Sequence, residues 1–362
     1  MGSHLVDALL QLGHEVVVYD NLDPQVHDRG QMPSYLNSNI QMVKADIRDY
    51  DELSKCLLTN NFDVVFHHAA AVGVGQSMYD IRRYVEVNSL GAANLLDILA
   101  NNKHQVKKLI VASSMSIYGE GRYRCVDHGI VSPGLRSEEQ LRRKIWDMLC
   151  PDCGCNVTPL ATDENKPLFP TSIYATTKRD HEEMFLEFGH AYRIPTVALR
   201  YFNIYGPRQA LSNPYTGVVA IFASRLMNDL PPLIFEDGLQ SRDFVHVSDI
   251  VQANILAMEN DEANYEIFNV GTGRSASILH VAKVLAEKLG KDVTPVILEK
   301  FRAGDIRSCY SDITKISSHL GFKPTMSFDQ GVDAILDWLK NQTPLDRTAV
   351  AFSELEKRKL SR

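Results

Sequence analysis

Apolar residues recur at four-residue spacing near the start of the chain (Leu5/Leu9, Val6/Leu10), and Gly13 stands where the run stops. That pattern predicts a helix over 2–12. Glu15-Val16-Val17-Val18-Tyr19-Asp20 follows as a short apolar run closing on an acid, as a strand buried on both faces does. The alternation then repeats. Ile40–Asp49 reads as a strand entering an acidic turn, 51–60 as a helix, and 62–71 as a strand ending in small residues, which let a backbone or ligand come close. Asn88 to Ala100 reads as a helix and Lys107 to Ser114 as a strand ending in hydroxyls. Later come a helix over 178–192, a strand over 195–201, and a strand over 242–249 that runs into a helix start. A glycine turn at 268–273 precedes a helix over 278–289, and Phe328–Lys340 is a last amphipathic helix. Residues beyond about 343 are polar and are expected to be loosely held. Strand–helix units in this order predict a parallel sheet with right-handed crossovers and a ligand at the carboxyl ends of its strands.

Within this frame, Ser172-Ile173-Tyr174-Ala175-Thr176-Thr177-Lys178 stands out. A tyrosine and a lysine four apart on a helix lie on one face, with Cβ atoms roughly 5–6 Å apart. A phenol titrates near ~10, and an ammonium beside it favours the phenolate, which suits Tyr174 to general-base work. Taken alone, the pair reads equally well as an ordinary surface contact. The adjacent His67 and His68 read as strand-end packing rather than as ligands.

Residues 120–166 break the alternation. Cys125-x2-His128 and Cys150-x2-Cys153 are separated by 21 residues, a spacing that matches a tetrahedral zinc ribbon. The expectation is a structural zinc on Cys125, His128, Cys150 and Cys153. Free thiols or a redox pair are the alternatives, and Cys155 could replace one of the four. Across the 362 residues, 44% are hydrophobic, enough for a large core and two lobes. The net charge of −7 gives no electrostatic footprint for nucleic acid or an acidic membrane. No apolar run approaches a membrane span, and the expected location is cytoplasmic.

Five ordered motifs resemble a known family: Ser113–Gly119, Tyr174-x-x-x-Lys178, Arg200–Pro207, Arg242–Val247 and Arg302-Ala303-Gly304-Asp305. They are similar to those of the extended short-chain dehydrogenase/reductases that act on nucleotide sugars, the NAD-dependent epimerase/dehydratase family. The resemblance runs from Gly2 to about Leu339 and disfavours the surface-pair reading. It implies an α/β fold, a Rossmann-type doubly wound parallel sheet with its first strand truncated and a smaller C-terminal α/β substrate domain. The dinucleotide-binding part would span 1–201, with 120–166 as its cysteine-rich insert. The substrate part would span 202–342, with 243–260 returning to the first domain and 343–362 as a polar tail.

The same resemblance implies roles. Tyr174 is the base, Lys178 its partner, and Ser114 holds the reacting sugar oxygen. NAD is expected against Gly2, Asp20, Asn21, Asp46, Ile47, Ala69, Asn88 and Ser113, in addition to Tyr174 and Lys178. Asp20, 18 residues after Gly2, would take the ribose and select NAD over NADP. Asn203, Arg242 and Arg302 would hold the substrate diphosphate and Asp305 the nucleotide ribose; arginine's planar fork suits phosphate oxygens. The implied reaction is inversion of a sugar C4 hydroxyl through a 4-keto intermediate, on a dTDP- or UDP-hexose. A dehydratase or reductase of the same fold is the alternative, but the Asp-Glu pair of the family's 4,6-dehydratases is replaced here by Met115 and Ser116. An inactive remnant is a third reading. Tyr174 lies 55 residues beyond Gly119, farther than in ordinary members; the intervening insert resembles that of the dTDP-L-rhamnose 4-epimerase branch. The chain begins after the point where the strand and two glycines of the dinucleotide fingerprint would stand, so a longer form is expected to bind NAD better. The family also suggests a homodimer through helices 88–100 and 178–192.

Overall fold

The computed structural model describes residues 1–27 and 30–362. Six parallel strands carry the larger half: β1 (Val17–Asp20), β2 (Gln41–Lys44), β3 (Val64–His67), β4 (Lys108–Ser114), β5 (Thr196–Tyr201) and β6 (Ile267–Val270). β3, β4, β5 and β6 form one sheet in the spatial order β6-β5-β4-β3, and β1 pairs with β2 in a second. No ladder joins β1 to β3 among the described residues. The register sets Ser113 and Ser114 of β4 against Arg200 and Tyr201 of β5, so both strands end at the same edge.

Period-two alternation along β4 explains why the sheet is covered twice. Leu109 and Val111 enter a cluster with Leu95, Leu99 and Phe185, while Ile110 and Ala112 enter another with Ile250 and Ala253. The first cluster is supplied by α1 (Gly91–Asn101) and α2 (Ile173–Tyr192), the second by α3 (Val247–Glu259). α1 lies close on the loop after β2: a Cβ on Gly91 would sit 2.6 Å from Ile47 Cγ2. α1 continues a helical run through a wide π turn at Val85–Leu90, which carries Asn88. α2 begins at Ile173, with the Ser172 hydroxyl accepting from Ala175 N at 3.1 Å as its N-cap. Tyr174 and Lys178 therefore both lie inside the helix, which starts earlier than its apolar periodicity indicated.

The smaller half has its own core, including Phe222, Ile234, Val281, Leu285 and Ile335. Asn203–Tyr205 pairs in parallel with Phe244–His246 beside the main sheet. The insert is a three-stranded antiparallel sheet (Arg122–Cys125, Gly129–Val131, Thr158–Leu160) with a core of Tyr123, Cys125, Val131, Met148, Cys150 and Val157. The C-terminal segment is not loose. A helix, α4 (Thr348–Lys357), buries Ala351 and Leu355, and Phe301 and Ala303 pair with Leu360 and Arg362 through their backbones. No helix is long and apolar enough to cross a membrane among the described residues.

Candidate active site

Tyr174 and Ser114 meet where the end of β4 faces the start of α2. Burial pushes the Tyr174 phenol up, and the Ser114 hydroxyl hydrogen-bonded to it pulls it back. Ser114 Oγ also accepts from Ser116 N at 3.1 Å and Ser116 Oγ at 2.8 Å, which fixes its position. Tyr84 packs edge-on to the phenol with ring centres 6.4 Å apart. Lys178 does not point its ammonium at the phenol as the four-residue spacing suggested. Its Nζ donates to Ala112 O at 2.8 Å and lies 3.4 Å from His181 Nδ1, and burial lowers it to about 7. The shift on Tyr174 in this structure is thus set by desolvation, a tertiary effect that spacing cannot carry.

A buried network beneath this edge holds α2 against β5. Glu182 grips Arg200 through Oε2···Nε at 2.9 Å and Oε1···Nη2 at 2.5 Å, with both side chains almost fully buried. Arg200 Nη1 donates to Tyr118 OH at 2.8 Å, which donates to Asn269 Oδ1 at 2.7 Å. Ser113 Oγ donates to Glu182 Oε2 at 2.6 Å, so its side chain serves the network and not the ligand edge. Sequence reasoning passed over Glu182, although Tyr174, Lys178 and Glu182 share one helix face at four-residue steps.

Asn88 is fully buried: Oδ1 accepts from Ala71 N at 2.7 Å, while Nδ2 donates to Ala71 O at 3.1 Å and Thr177 Oγ1 at 2.9 Å. It stitches the loop after β3, which begins at His68-Ala69, to α2. His67 stacks on Phe185 with centres 4.9 Å apart, and His68 Nε2 lies 3.2 Å from Asn254 Oδ1. Both histidines are lowered by burial, to about 3 and about 4, and so stay neutral as packing groups.

The acidic ends of β1 and β2 come together. Asn21 Nδ2 donates to Asp46 Oδ2 at 2.9 Å, and hydrogen bonds from Arg48 hold the Asp46 carboxyl well below the usual range. Asp20 Oδ1 accepts from Leu22 N at 2.7 Å. A half-exposed carboxylate at the carboxyl end of a parallel strand, followed by the small residues Ala69–Ala71 after β3, fits the ribose and backbone of a dinucleotide. Ile47 is buried under Gly91, and Gly2 opens the first helix with no atom within 4 Å of a built Cβ.

One amide atom of Asn203 (Oδ1) is buried without a partner among the described residues, an orphan that a ligand can satisfy. Arg302 Nε donates to Asp305 Oδ2 at 2.8 Å and its guanidinium lies 4.5 Å from the Phe235 ring centre. The Arg242 guanidinium donates to the carbonyls of Ser241, Ile306 and Arg307, and the next residue, Asp243, accepts from Asn203 N at 2.9 Å.

In the insert, Cys125, His128, Cys150 and Cys153 bring one ligand atom each within 4.8 Å of one another. Cys125 Sγ lies 3.6 Å from both His128 Nδ1 and Cys153 Sγ, and Cys150 Sγ lies 3.7 Å from His128 Nδ1. Zinc bonds of about 2.3 Å to sulfur and 2.0–2.1 Å to nitrogen give tetrahedral edges of about this length. Cys155 is exposed and groups instead with Asp127 and Cys153.

Residues 1–131 match the NAD dependent epimerase/dehydratase family, and residues 156–335 match the family described as GDP-mannose 4,6 dehydratase. The dTDP-L-rhamnose 4-epimerase of Burkholderia thailandensis is 32% identical over 348 residues, covering 96% of this chain and 93% of that protein. The UDP-glucose 4-epimerase of Thermotoga maritima, solved with UDP-glucose, superposes with a TM-score of 0.76 at 30% identity, covering 94% of this chain and 95% of that one. The UDP-glucuronic acid 4-epimerase of Bacillus cereus, solved with UDP-glucuronic acid and NAD, superposes at 0.74 and 30% over the same shares. With its parallel sheet, its Tyr174–Ser114 pair at the strand ends and relatives along its whole length, the chain belongs to the NAD-dependent epimerase/dehydratase family of extended short-chain dehydrogenase/reductases.

Proposed function

We propose that this protein is an NAD-dependent nucleotide-sugar 4-epimerase, acting on a dTDP- or UDP-hexose. The observation that carries this reading is the half-buried Tyr174 phenol beside the Ser114 hydroxyl at the strand ends, together with a buried, unpartnered Asn203 Oδ1. NAD, when bound, supplies a reversible hydride acceptor. Asp20 and the Asp46–Asn21 pair hold its adenosine end, and Lys178 its nicotinamide ribose. Ser114 holds the sugar C4 oxygen and Tyr174 removes its proton. After the 4-keto sugar turns within the cleft, Tyr174 returns the proton to the same oxygen, now on the inverted centre. Asn203 and Arg302 hold the diphosphate and Asp305 the ribose.

Epimerisation is favoured over dehydration because Met115 is buried and Ser116 is committed to Ser114. Neither titrates where elimination of water needs an acid or base. Incubation with dTDP-L-rhamnose and with UDP-glucose, followed by proton NMR, tests this. A C4 epimer with constant nicotinamide absorbance is the expected result; an accumulating 4-keto product supports the dehydratase reading instead.

Cys125, His128, Cys150 and Cys153 are proposed to hold a structural zinc. Their donor set and spacing support it, as does a six-residue core too small to hold three short strands alone. Atomic emission spectrometry is expected to find about one zinc per chain; protein purified with none and with an intact insert overturns the assignment. A homodimer through the faces of α1 and α2 is proposed as well, supported by exposed Val85, Leu90 and Tyr192 near them, and sedimentation at micromolar protein checks it.

A further inference from the structure

The insert makes contacts that the proposed chemistry does not use. The Arg136 side chain is 1% exposed and Glu236, on the smaller domain, is fully buried. They meet through two parallel bonds, Nη1···Oε2 at 2.8 Å and Nη2···Oε1 at 2.9 Å. Arg136 also donates to Trp146 O at 2.9 Å within the insert and to Asp305 O at 3.3 Å in the candidate nucleotide loop. A second tie runs alongside. Arg307 joins Asp147 of the insert at 2.8 Å to Asp237 at 2.6 Å, and Glu120 accepts from Arg307 N at 2.7 Å.

The backbone at the far end of this tie is unusual. Glu236 adopts φ 54, a conformation that residues other than glycine occupy at a cost. A buried carboxylate in a strained position is retained only if its surroundings over-determine it; the Arg136 fork does so, joined by Arg307, whose Nη1 lies 3.4 Å from Glu236 Oε2. The turn thus held carries Phe235, whose ring lies under Arg302. Gly304 of the same loop, at φ 83, lies so close to Thr171 that a Cβ would sit 2.8 Å from its carbonyl, two residues before α2. Leu135 and Leu141 of the insert and Phe301 line a cavity of about 170 Å³ beside Arg302 and Asp305.

We infer that Arg136 and Glu236 are positioning residues for the nucleotide-sugar loop, through which the insert fixes Arg302 and Asp305 and so sets affinity for the nucleoside diphosphate. This rests on the substrate reading above. Neither residue touches the reacting atoms, so loosening the loop affects ground-state binding far more than the proton transfer at Tyr174.

UDP and dTDP serve as probes, titrated by calorimetry against the NAD-loaded protein and its Arg136→Met, Arg136→Lys and Glu236→Gly variants. Arg136→Lys keeps the charge but loses the fork, and Glu236→Gly relieves the backbone while removing the partner. Each is expected to weaken nucleotide binding by on the order of tenfold and to raise KM similarly, with kcat within about threefold and the NAD content unchanged. If Glu236 served only the turn, its glycine variant would bind as tightly as the parent, and that result overturns the inference. So does equal affinity in Arg136→Lys, or a loss of NAD in step with nucleotide. Should Arg136→Met fail to fold, the other two variants decide. An unmodified protein that binds neither probe removes the substrate reading and this inference together; one that binds while its variants bind equally removes this inference alone.

Discussion

The edge of the parallel sheet and the cysteine-bearing insert lie close to the same loop but are held by opposite means. Tyr174 and Lys178 ride on a 20-residue helix packed over a cluster of 15 buried apolar residues. The insert has six, two of them candidate ligands. A large core tolerates the loss of one polar contact, because burial of each apolar side chain contributes about 1.5–3 kcal/mol on its own. A six-residue core has no such reserve. It depends on a few strong local links: the Cys/His cluster, the Arg136–Glu236 pair and the Arg122–Asp163 pair. The proposed chemistry therefore stands on the robust region, while the proposed substrate loop leans on the fragile one.

The largest expected effect breaks the chemistry without touching the packing. Tyr174→Phe is expected to lower the epimerisation rate by about 10²- to 10⁴-fold, the usual worth of a positioned general base. Its thermal unfolding should match the parent, since the ring stays and only the hydroxyl on Ser114 is lost. A rate within a factor of a few of the parent would remove Tyr174 from the mechanism. Glu182→Gln attacks the robust region through its buried ion pair and leaves Arg200 without its charge partner. The expected cost is about 3 kcal/mol of stability by urea unfolding, with the insert's own signals unchanged. The opposite change, Cys150→Ser, is expected to leave the main unfolding transition in place while exposing 126–156 to limited proteolysis. Cleavage no faster than in the parent would show that the insert's core suffices without the cluster.

The contrast also explains what could be read from the chain. Strand–helix alternation and the four-residue step from Tyr174 to Lys178 are local, and local periodicity carries them. The step continues to Glu182, but the meaning of that residue depends on Arg200 on a neighbouring strand. Arg136 and Glu236 are 100 residues apart, and nothing in either local pattern links them. The side-chain bonds of Asn88 to Ala71 and Thr177 join segments 17 and 89 residues away, which no local pattern shows. The C-terminal helix had a visible signal in Ala351 and Leu355, four apart, which its flanking charges obscured. The Cys125–Cys153 cluster was legible because metal-ligand spacing is a sequence property even when the core around it is not.

The smallest expected effect sharpens the comparison at Lys178. Its ammonium is lowered from 10.5 to about 7 by burial, whereas in the unfolded chain it returns to its ordinary value. Between these values the unfolded state holds a proton that the folded state lacks. Stability should therefore rise with pH across that window, by at most about 1.4 kcal/mol per pH unit from this group. The penalty of burying the charge is fully present below about 7 and fades toward 10.5. Lys178→Met removes the term, so in the protein freed of nucleotide the variant should gain most over the parent at pH 6 and progressively less at pH 8 and 9. Urea midpoints at those values check it. A constant difference between variant and parent would mean that Lys178 is not desolvated at all, and that the robust region is wet where the proposed chemistry needs it dry.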